Sequence, residues 1–417
     1  MGIRLARGRL SVAVVGLVTR AVRGEKRVGR TTAFWIVATT LALFLFAAAA
    51  PSPLYAVYAA RWHFSAVALT EVFGVYAIAL LVALLFTGSL SDAVGRRPVI
   101  FASLAIQSAS MVMFLYASSI EWLFAARITQ GVATGLATSA LAASFVDLQP
   151  SGHPTLAATV NSAAPILGLA LGGLASAALV QFGPDPFHLV YWIMASGFVL
   201  SGAATLLIPE PSALRSRVHL VPRIGVEPRV RAAFIATLPS LVAGWGVGGF
   251  YLSLGPSLAL YLARSSNRLL GGLAIFLLAG IGAACVVAVR SWPPARAMVV
   301  GAVALVLGLA LTVTAVAMTA PTLFFAGTAV TGVGFGVAWL GVLRSLVSLA
   351  SPTGRAALLA AIFVVAYVAF ALPAVVAGFL VTLVGLHDAA LWYGGAVGLL
   401  ALAGLAGSVL INRPASR

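Results

Sequence analysis

The sequence is poor in acidic residues and nearly free of cysteine. It has 9 Asp and Glu against 25 Lys and Arg, and charged residues make up only 8% of its 417 positions. A water-soluble domain does not cover its surface with so few charges. The single cysteine, Cys285, excludes an intrachain disulfide. The 5 histidines are scattered, and no phosphate-binding G-x-x-x-x-G-K-[ST] loop occurs. We therefore expect no metal, no cofactor and no enzymatic activity.

Most of the chain is apolar instead. Hydrophobic residues make up 62% of the sequence, and the mean hydropathy is +1.09. The apolar runs are long enough to cross a bilayer, and an α-helix is the structure that satisfies its own backbone in lipid. The sequence therefore predicts an all-α integral membrane protein whose twelve transmembrane helices are 33–58, 68–90, 98–119, 121–146, 155–180, 187–208, 233–262, 269–289, 296–318, 322–347, 356–383 and 389–411.

The net charge of +16 follows the predicted topology. Arginines concentrate in alternate connections and near both ends of the chain, whereas the other connections hold Arg61, Arg264 and Arg268. The positive-inside rule then places both termini in the cytoplasm, with the chain in the inner (plasma) membrane. A lipid bilayer, and not a nucleic acid, is the expected partner of the basic charge, and we expect a monomer.

A proline- and arginine-rich connection divides the spans six and six. The predicted organisation is a basic cytoplasmic N-terminal segment (1–31), a six-helix bundle (32–208), a flexible cytoplasmic linker (209–232), a second bundle (233–411) and a cytoplasmic tail (412–417).

Features of the first half recur about 200 residues later. Pro51-Ser52 matches Pro256-Ser257, Pro165 matches Pro373, and Gly131-Val132-x-x-Gly135 matches Gly332-Val333-x-x-Gly336. A parallel duplication of this kind predicts a substrate cavity between two pseudo-symmetric halves. Small residues and prolines permit close helix packing and bends. The expected hinge or packing residues are Pro51, Gly131, Gly135, Pro165, Gly168, Pro256, Gly332, Gly336 and Pro373.

A short charged loop separates the second and third predicted spans. Its residues Gly88, Leu90, Asp92, Gly95, Arg96 and Arg97 fit the pattern G-x-L-x-D-x-x-G-R-[RK]. This loop resembles the loop between helices 2 and 3 of the major facilitator superfamily. The resemblance implies the major facilitator fold and a secondary transporter that works by alternating access.

The resemblance also implies a conformational switch. In the family, the loop aspartate holds the two halves together near the start of the eleventh helix in the outward-open state. That role falls here on Asp92, and Asp147 is placed to receive Arg96 at the end of the fourth span. The expected switch residues are Gly88, Asp92, Gly95, Arg96, Arg97 and Asp147.

The fourth span suggests a coupling ion. Arg127-x-x-Gln130-Gly131-x-x-x-Gly135 resembles the superfamily's fourth-helix pattern, whose arginine is associated with proton coupling. In character the chain is most similar to the twelve-helix drug-proton antiporter branch. Glu71 enters the second span from the same side at a similar depth, so a Glu71–Arg127 pair that exchanges a proton is one hypothesis. An interfacial Glu71 surrounded by water is the other.

Aromatic and amide side chains within the spans suit a neutral or weakly polar organic molecule. The candidate cavity residues are Tyr55, Tyr58, Gln107, Gln130, Asn161, Trp245, Tyr251, Trp339 and Tyr367. The predicted function is proton-coupled efflux of small amphipathic compounds. Uptake or facilitated diffusion of a small metabolite such as a sugar is the alternative, and a channel or membrane enzyme also fits the hydropathy.

Overall fold

The described part of the chain is helical. A computed structural model describes residues 27–153, 155–210 and 221–411. Most of the predicted N-terminal segment, the middle of the linker and the tail lie outside these ranges. The helices are α1 Arg30–Ala49, α2 Ser52–Trp62, α3 Ala66–Thr87, α4 Leu90–Val94, α5 Arg96–Leu115, α6 Ile120–Leu148, α7 Leu156–Phe182, α8 Leu189–Leu207, α9 Pro228–Ser253, α10 Gly255–Ala263, α11 Leu269–Ala288, α12 Pro294–Ala317, α13 Pro321–Leu349 and α14 Arg355–Ile411.

These helices make the twelve predicted crossings. Within the described ranges, eleven stretches are long and apolar enough to span a membrane. The last of them holds two crossings. At about 1.5 Å of rise per residue, α14 is far longer than a hydrocarbon core of about 30 Å. The chain turns back at Gly385, where φ is 82°. The Tyr393 hydroxyl then donates to the Gly246 carbonyl oxygen, which places the last span against α9.

Proline divides the first and the seventh span in the same way. Pro51 precedes α2, and Pro256 lies in the first turn of α10. Proline lacks an N–H and clashes with the preceding turn, so a helix breaks there. Pro165 and Pro373, by contrast, lie inside α7 and α14, which continue through them. Any hinge movement at these four prolines stays a prediction.

Glycines show that the two halves are built alike. A Cβ atom at Gly131 of α6 would lie 2.5 Å from the Tyr76 carbonyl oxygen of α3, and one at Gly332 of α13 would lie 2.7 Å from the Leu277 carbonyl oxygen of α11. Such contacts need a residue without a side chain. Gly135, Gly168 and Gly336 make equally close backbone contacts, with Leu80, Ala42 and Gly282 respectively.

The halves meet through α3 with α14 and through α7 with α11. A Cβ atom at Gly74 would lie 3.1 Å from Val375, and one at Gly173 would lie 2.7 Å from Ile275. We call the end of the bundle that carries Asp92, Asp147 and Arg355 the basic face, and the end that carries Trp62, Glu71 and Arg264 the opposite face. The side surface exposes large apolar residues such as Trp35, Phe101 and Leu399, as contact with lipid requires.

The α3–α6 contact generates a stability prediction. We expect Gly131→Ala to lower the free energy of unfolding by about 1 to 3 kcal/mol, because the new methyl group meets backbone that cannot rotate away. Gly398→Ala is the matched control, since a Cβ atom there meets nothing within 4 Å. Thermal unfolding of the purified protein in detergent gives both values. Equal midpoints for the two variants would contradict the close packing of α3 and α6.

Candidate functional site

A cavity of about 750 Å³ lies between the two halves. Its walls come from α1, α3, α6 and α7 on one side and from α9, α11, α13 and α14 on the other. Gly88, Asp92 and Arg223 line its mouth at the basic face. Phe73 and Phe370, whose ring centroids are 4.9 Å apart, bridge the two halves at its inner end. The structure therefore represents the state that is open to the basic face.

Aromatic rings form the second half's wall. The ring of Trp245 lies 5.2 Å from that of Trp339, 5.3 Å from that of Tyr367 and 5.7 Å from that of Phe370, measured between centroids. Phe363 lies 6.2 Å from Tyr367 on α14. All five line the cavity. This cluster offers a large apolar contact area with little side-chain entropy to lose.

Small polar groups line the first half's wall. Tyr76 of α3, Asn161 and Ser162 of α7, and three hydroxyl residues of α6 line this side of the cavity, the α6 residues being Thr134, Thr138 and Ser139. An apolar wall with a few polar groups is typical of a site for small organic molecules.

The structure divides the nine predicted cavity residues. Asn161, Trp245, Trp339 and Tyr367 line the cavity. The other five are not among the residues that line it in this state. Tyr58 packs on Trp62 and Tyr191 towards the opposite face, Tyr251 hydrogen-bonds to Thr328, Gln107 is buried, and Tyr55 and Gln130 bind Arg127. Helical periodicity does not tell which polar side chains turn into the bundle and which reach the cavity.

Arg127 is fully buried in the first half. Its Nε donates to the Tyr55 hydroxyl at 2.5 Å, and its Nη1 donates to Gln130 Oε1 at 2.6 Å and to the Ala48 carbonyl oxygen at 3.0 Å. Its Cζ lies 5.1 Å from the Tyr76 ring centroid. Among the described residues, Nη2 has no hydrogen-bond partner. The cation is thus held by neutral acceptors and ring faces.

The broken first span explains why these acceptors exist. Pro51 has no N–H, so the Ala47 carbonyl oxygen loses its helical partner. Gln130 Nε2 donates to that oxygen at 2.9 Å, and Arg127 donates to the neighbouring carbonyl oxygen of Ala48. Ser176 of α7 donates to the Ala50 carbonyl oxygen at 2.5 Å. Buried carbonyl groups need such donors, and together these bonds close the gap at the break.

The hypothetical Glu71–Arg127 pair is not formed in this state, because the hydrogen bonds of Arg127 go to Tyr55, Ala48 and Gln130. Glu71 lies in the first two turns of α3, and its side chain is exposed. Arg127 points the other way, towards the break between α1 and α2, because the unpaired carbonyl oxygens lie there. Counting residues from the helix ends places Glu71 and Arg127 at a similar depth in the membrane. It does not show on which side of its helix each side chain lies.

The predicted switch residues meet at the basic face. Arg96 donates through Nη1 to Asp92 and, at 2.8 Å, to the Ser91 hydroxyl; its Nε donates to Asp147 Oδ2 at 3.1 Å. Gly95 joins α4 to α5 with a φ of 112°, a backbone conformation that favours glycine. The guanidinium therefore ties the loop to the end of α6. The role of this network in switching stays a prediction.

Two acids of the linker make contacts with helix starts that the sequence analysis did not predict. Glu210 accepts the backbone N–H groups of Arg96 at 2.8 Å and Arg97 at 3.0 Å, and so caps α5. Glu227 accepts the Ser351 N–H at 3.1 Å and the Ser351 hydroxyl, just before α14 begins. Each acid lies where a helix N-terminus favours an anion. Glu210 and Glu227 therefore anchor the two described ends of the linker, one on each half.

The hydrogen bonds from Ser351, helped by Arg229, lower the pKa of Glu227 to about 2. A lowered carboxyl pKa contributes stability that is complete above the ordinary value near 4.5 and is lost as the pH falls through about 2. A proton gradient near neutral pH therefore leaves this contact intact.

Twelve spans in two related halves, around a cavity open at one face, define a membrane transporter. The family model of the Major Facilitator Superfamily matches residues 36–311, which is more than half of the chain. The chain therefore belongs to this superfamily of transporters, and its long apolar helices place a lipid bilayer around it. Family and fold indicate a transporter rather than an enzyme.

Individual relatives are more distant. The synaptic vesicular amine transporter of Homo sapiens is 30% identical over 138 residues, which cover 30% of this chain and 24% of that protein; the Rattus norvegicus transporter is 31% identical over the same length. The chain thus spans about a quarter of the length of these curated relatives.

Solved structures agree on the fold across nearly the whole chain. The human organic anion transporter MFSD10 (TETRAN) is 17% identical, with a TM-score of 0.65, and covers 91% of this chain and 100% of its own. The nucleoside transporter NupG is 14% identical, with a TM-score of 0.70 and the same two coverages. At these identities the likeness supports the fold alone.

Removing one hydroxyl tests the binding of Arg127. We expect Tyr55→Phe to lower the free energy of unfolding by about 1 to 3 kcal/mol, because a buried charged donor loses its acceptor. Tyr261→Phe, at a side chain 49% exposed near the opposite face, is the control and should stay within about 0.5 kcal/mol. Chemical or thermal unfolding in detergent compares the two. Equal effects would mean that the Tyr55 hydroxyl does not stabilise the buried cation.

Proposed function

We propose that the protein exports small amphipathic organic compounds, such as drugs or metabolites, in exchange for protons. The observation that carries the proposal is the cavity itself: it lies between the halves, opens at one face and is walled by aromatic rings and small polar groups. Such a wall accepts molecules that combine an apolar body with a few hydrogen-bonding groups.

The geometry supports alternating access. Export begins from the described state, in which a molecule enters at the basic face and meets the bridge of Phe73 and Phe370. Separating α3 from α14 opens the opposite face, and rocking of the halves closes the mouth. Asp92 then approaches the start of α14, where Glu227 already binds Ser351. A second carboxylate at one helix start is repelled by the first, so Arg96 must accompany Asp92.

Glu71 is the proposed proton carrier, and Arg127 is the buried positive charge of the same half. Among the described acids away from the basic face, Glu71 lies farthest from a helix start, in the second turn of α3, whereas Glu121 is in the first turn of α6 and Asp388 follows the turn at Gly385. Its neighbour Thr70 lies against Gly378 of α14, at the contact that must part when the opposite face opens. Movement there would change how much water reaches Glu71.

Facilitated diffusion or uptake of a small metabolite is the second candidate. One observation favours it: among the described residues, no carboxylate lines the cavity beyond its mouth. Proton and substrate would then not compete for one site, and the movement of a substrate would need no proton.

Proteoliposomes separate the two candidates. Purified protein is sealed into vesicles with an internal pH-sensitive dye, and a panel of lipophilic drugs and small metabolites is added under an imposed pH gradient. We expect compound-dependent proton flux that Glu71→Gln abolishes. Glu121→Gln is the matched control, because Glu121 is another exposed acid, at the start of α6 near the same face.

Compound movement without proton flux would establish the facilitator. Proton-coupled transport that survives Glu71→Gln would remove that residue as the carrier and leave antiport standing.

A second substitution tests the switch. We expect Asp92→Asn to slow the turnover of transport about tenfold while the unfolding midpoint changes little, because the variant keeps the shape of the loop but loses the charge that Arg96 binds. Asp185→Asn, at the exposed opposite face, is the control. Initial rates in the same vesicles measure the effect. An unchanged rate in Asp92→Asn would show that this contact does not limit the change of state.

A further inference from the structure

The cavity has few charged side chains, and they lie at its mouth. Among the described residues, two charged side chains line it, Asp92 and Arg223, and both are at the mouth. Asp92 is already bound to Arg96. Deeper in, the wall offers hydroxyl groups, the Asn161 amide and aromatic rings. An organic cation in this space would leave water without meeting a carboxylate.

The nearest full charge behind the wall is positive. The Tyr76 ring lines the cavity, and the Arg127 guanidinium carbon lies 5.1 Å from its centroid on the buried side. The hydrogen-bond partners of Arg127 are a hydroxyl, an amide oxygen and a backbone carbonyl, so its charge is not neutralised. Charges held away from water are weakly screened. The cavity therefore lies in a positive field that repels cations and attracts anions.

The aromatic wall does not reverse this preference. Ring faces attract cations, and a cage of open faces would bind an ammonium group. Here the rings pack on one another: Trp245 meets Trp339 at 79° and Phe370 at 77° between ring planes. In each such pair the edge of one ring covers a face of the other, so fewer open faces surround any one point of the cavity. What the cluster presents is apolar area, which suits a flat ring system of the substrate.

We infer that the substrate is a planar organic compound that is uncharged or anionic, and that organic cations of the same size are rejected. Arg127 and Arg223 set this preference, the first from behind the wall and the second at the mouth. The inference rests on the proposed transport function, because it treats this cavity as the substrate site.

Three probes with one ring system test the inference: 2-naphthoate, 2-naphthamide and 2-naphthylmethylammonium. Binding to the purified full-length protein in detergent is measured by the rise of its thermal unfolding midpoint with probe concentration, which requires neither a gradient nor turnover. We expect the carboxylate and the amide to bind, and the ammonium to bind at least about tenfold more weakly.

One isosteric substitution should invert the order. Asn161→Asp places a carboxylate on the cavity wall without changing the size of the side chain. We expect it to weaken binding of the naphthoate about tenfold and to strengthen binding of the ammonium. Asn267→Asp is the matched control, since Asn267 lies in the connection between α10 and α11 at the opposite face, and it should leave the order unchanged.

Three results would overturn the inference: ammonium binding as tight as that of the carboxylate, no binding of either the carboxylate or the amide, or an unchanged order in Asn161→Asp. The proteoliposome assay keeps the two proposals apart. The expected binding order without any transport would preserve the inference and refute the proposed function. Proton-coupled transport of cations would preserve the proposed function and refute the inference.

Discussion

The structure of the first half depends on the side chains that hydrogen-bond to the carbonyl groups at the break in its first span. A bilayer offers no water to a carbonyl group that a proline has deprived of its partner. Gln130, Arg127 and Ser176 supply the missing donors from α6 and α7. The same bonds fix Arg127 with its charge inside the bundle, so a requirement of the backbone determines where the main buried charge lies.

The second half carries uncharged side chains at the corresponding positions. The Gly131–Gly332 match places Thr328 and Thr331 of α13 where α6 has Arg127 and Gln130. Thr328 hydrogen-bonds to Tyr251 at 2.8 Å and to the carbonyl of the preceding turn. The duplicated halves have therefore diverged in chemistry while keeping their packing: one carries the polar wall and a buried cation, the other the aromatic wall. A cavity between unlike walls can orient an amphipathic molecule.

The fold was predictable because its signals are long or repeated. Twenty-residue apolar runs predict spans, and the recurrence of Pro51 at Pro256 identifies both broken spans. The site was less predictable, because its contacts depend on which way a side chain turns from its helix. Tyr55 and Tyr367 look alike in the sequence, yet one binds Arg127 and the other lines the cavity. The capping of α5 by Glu210 could have been predicted, because Glu210 is an acid in a linker that must cross the starts of other helices.

The anchored linker limits how the halves move. Glu210 binds α5 in the first half and Glu227 binds the start of α14 in the second, so both linker ends follow their own half as a rigid extension. Between them, Arg223 lines the mouth and the Gly225 N–H donates to the Ala357 carbonyl oxygen at 3.3 Å. Any rocking that closes the basic face must carry this segment over the cavity together with α14. The mouth is thus bounded by the connection between the halves as well as by their helices, and its positive charge moves with the half that holds the aromatic wall.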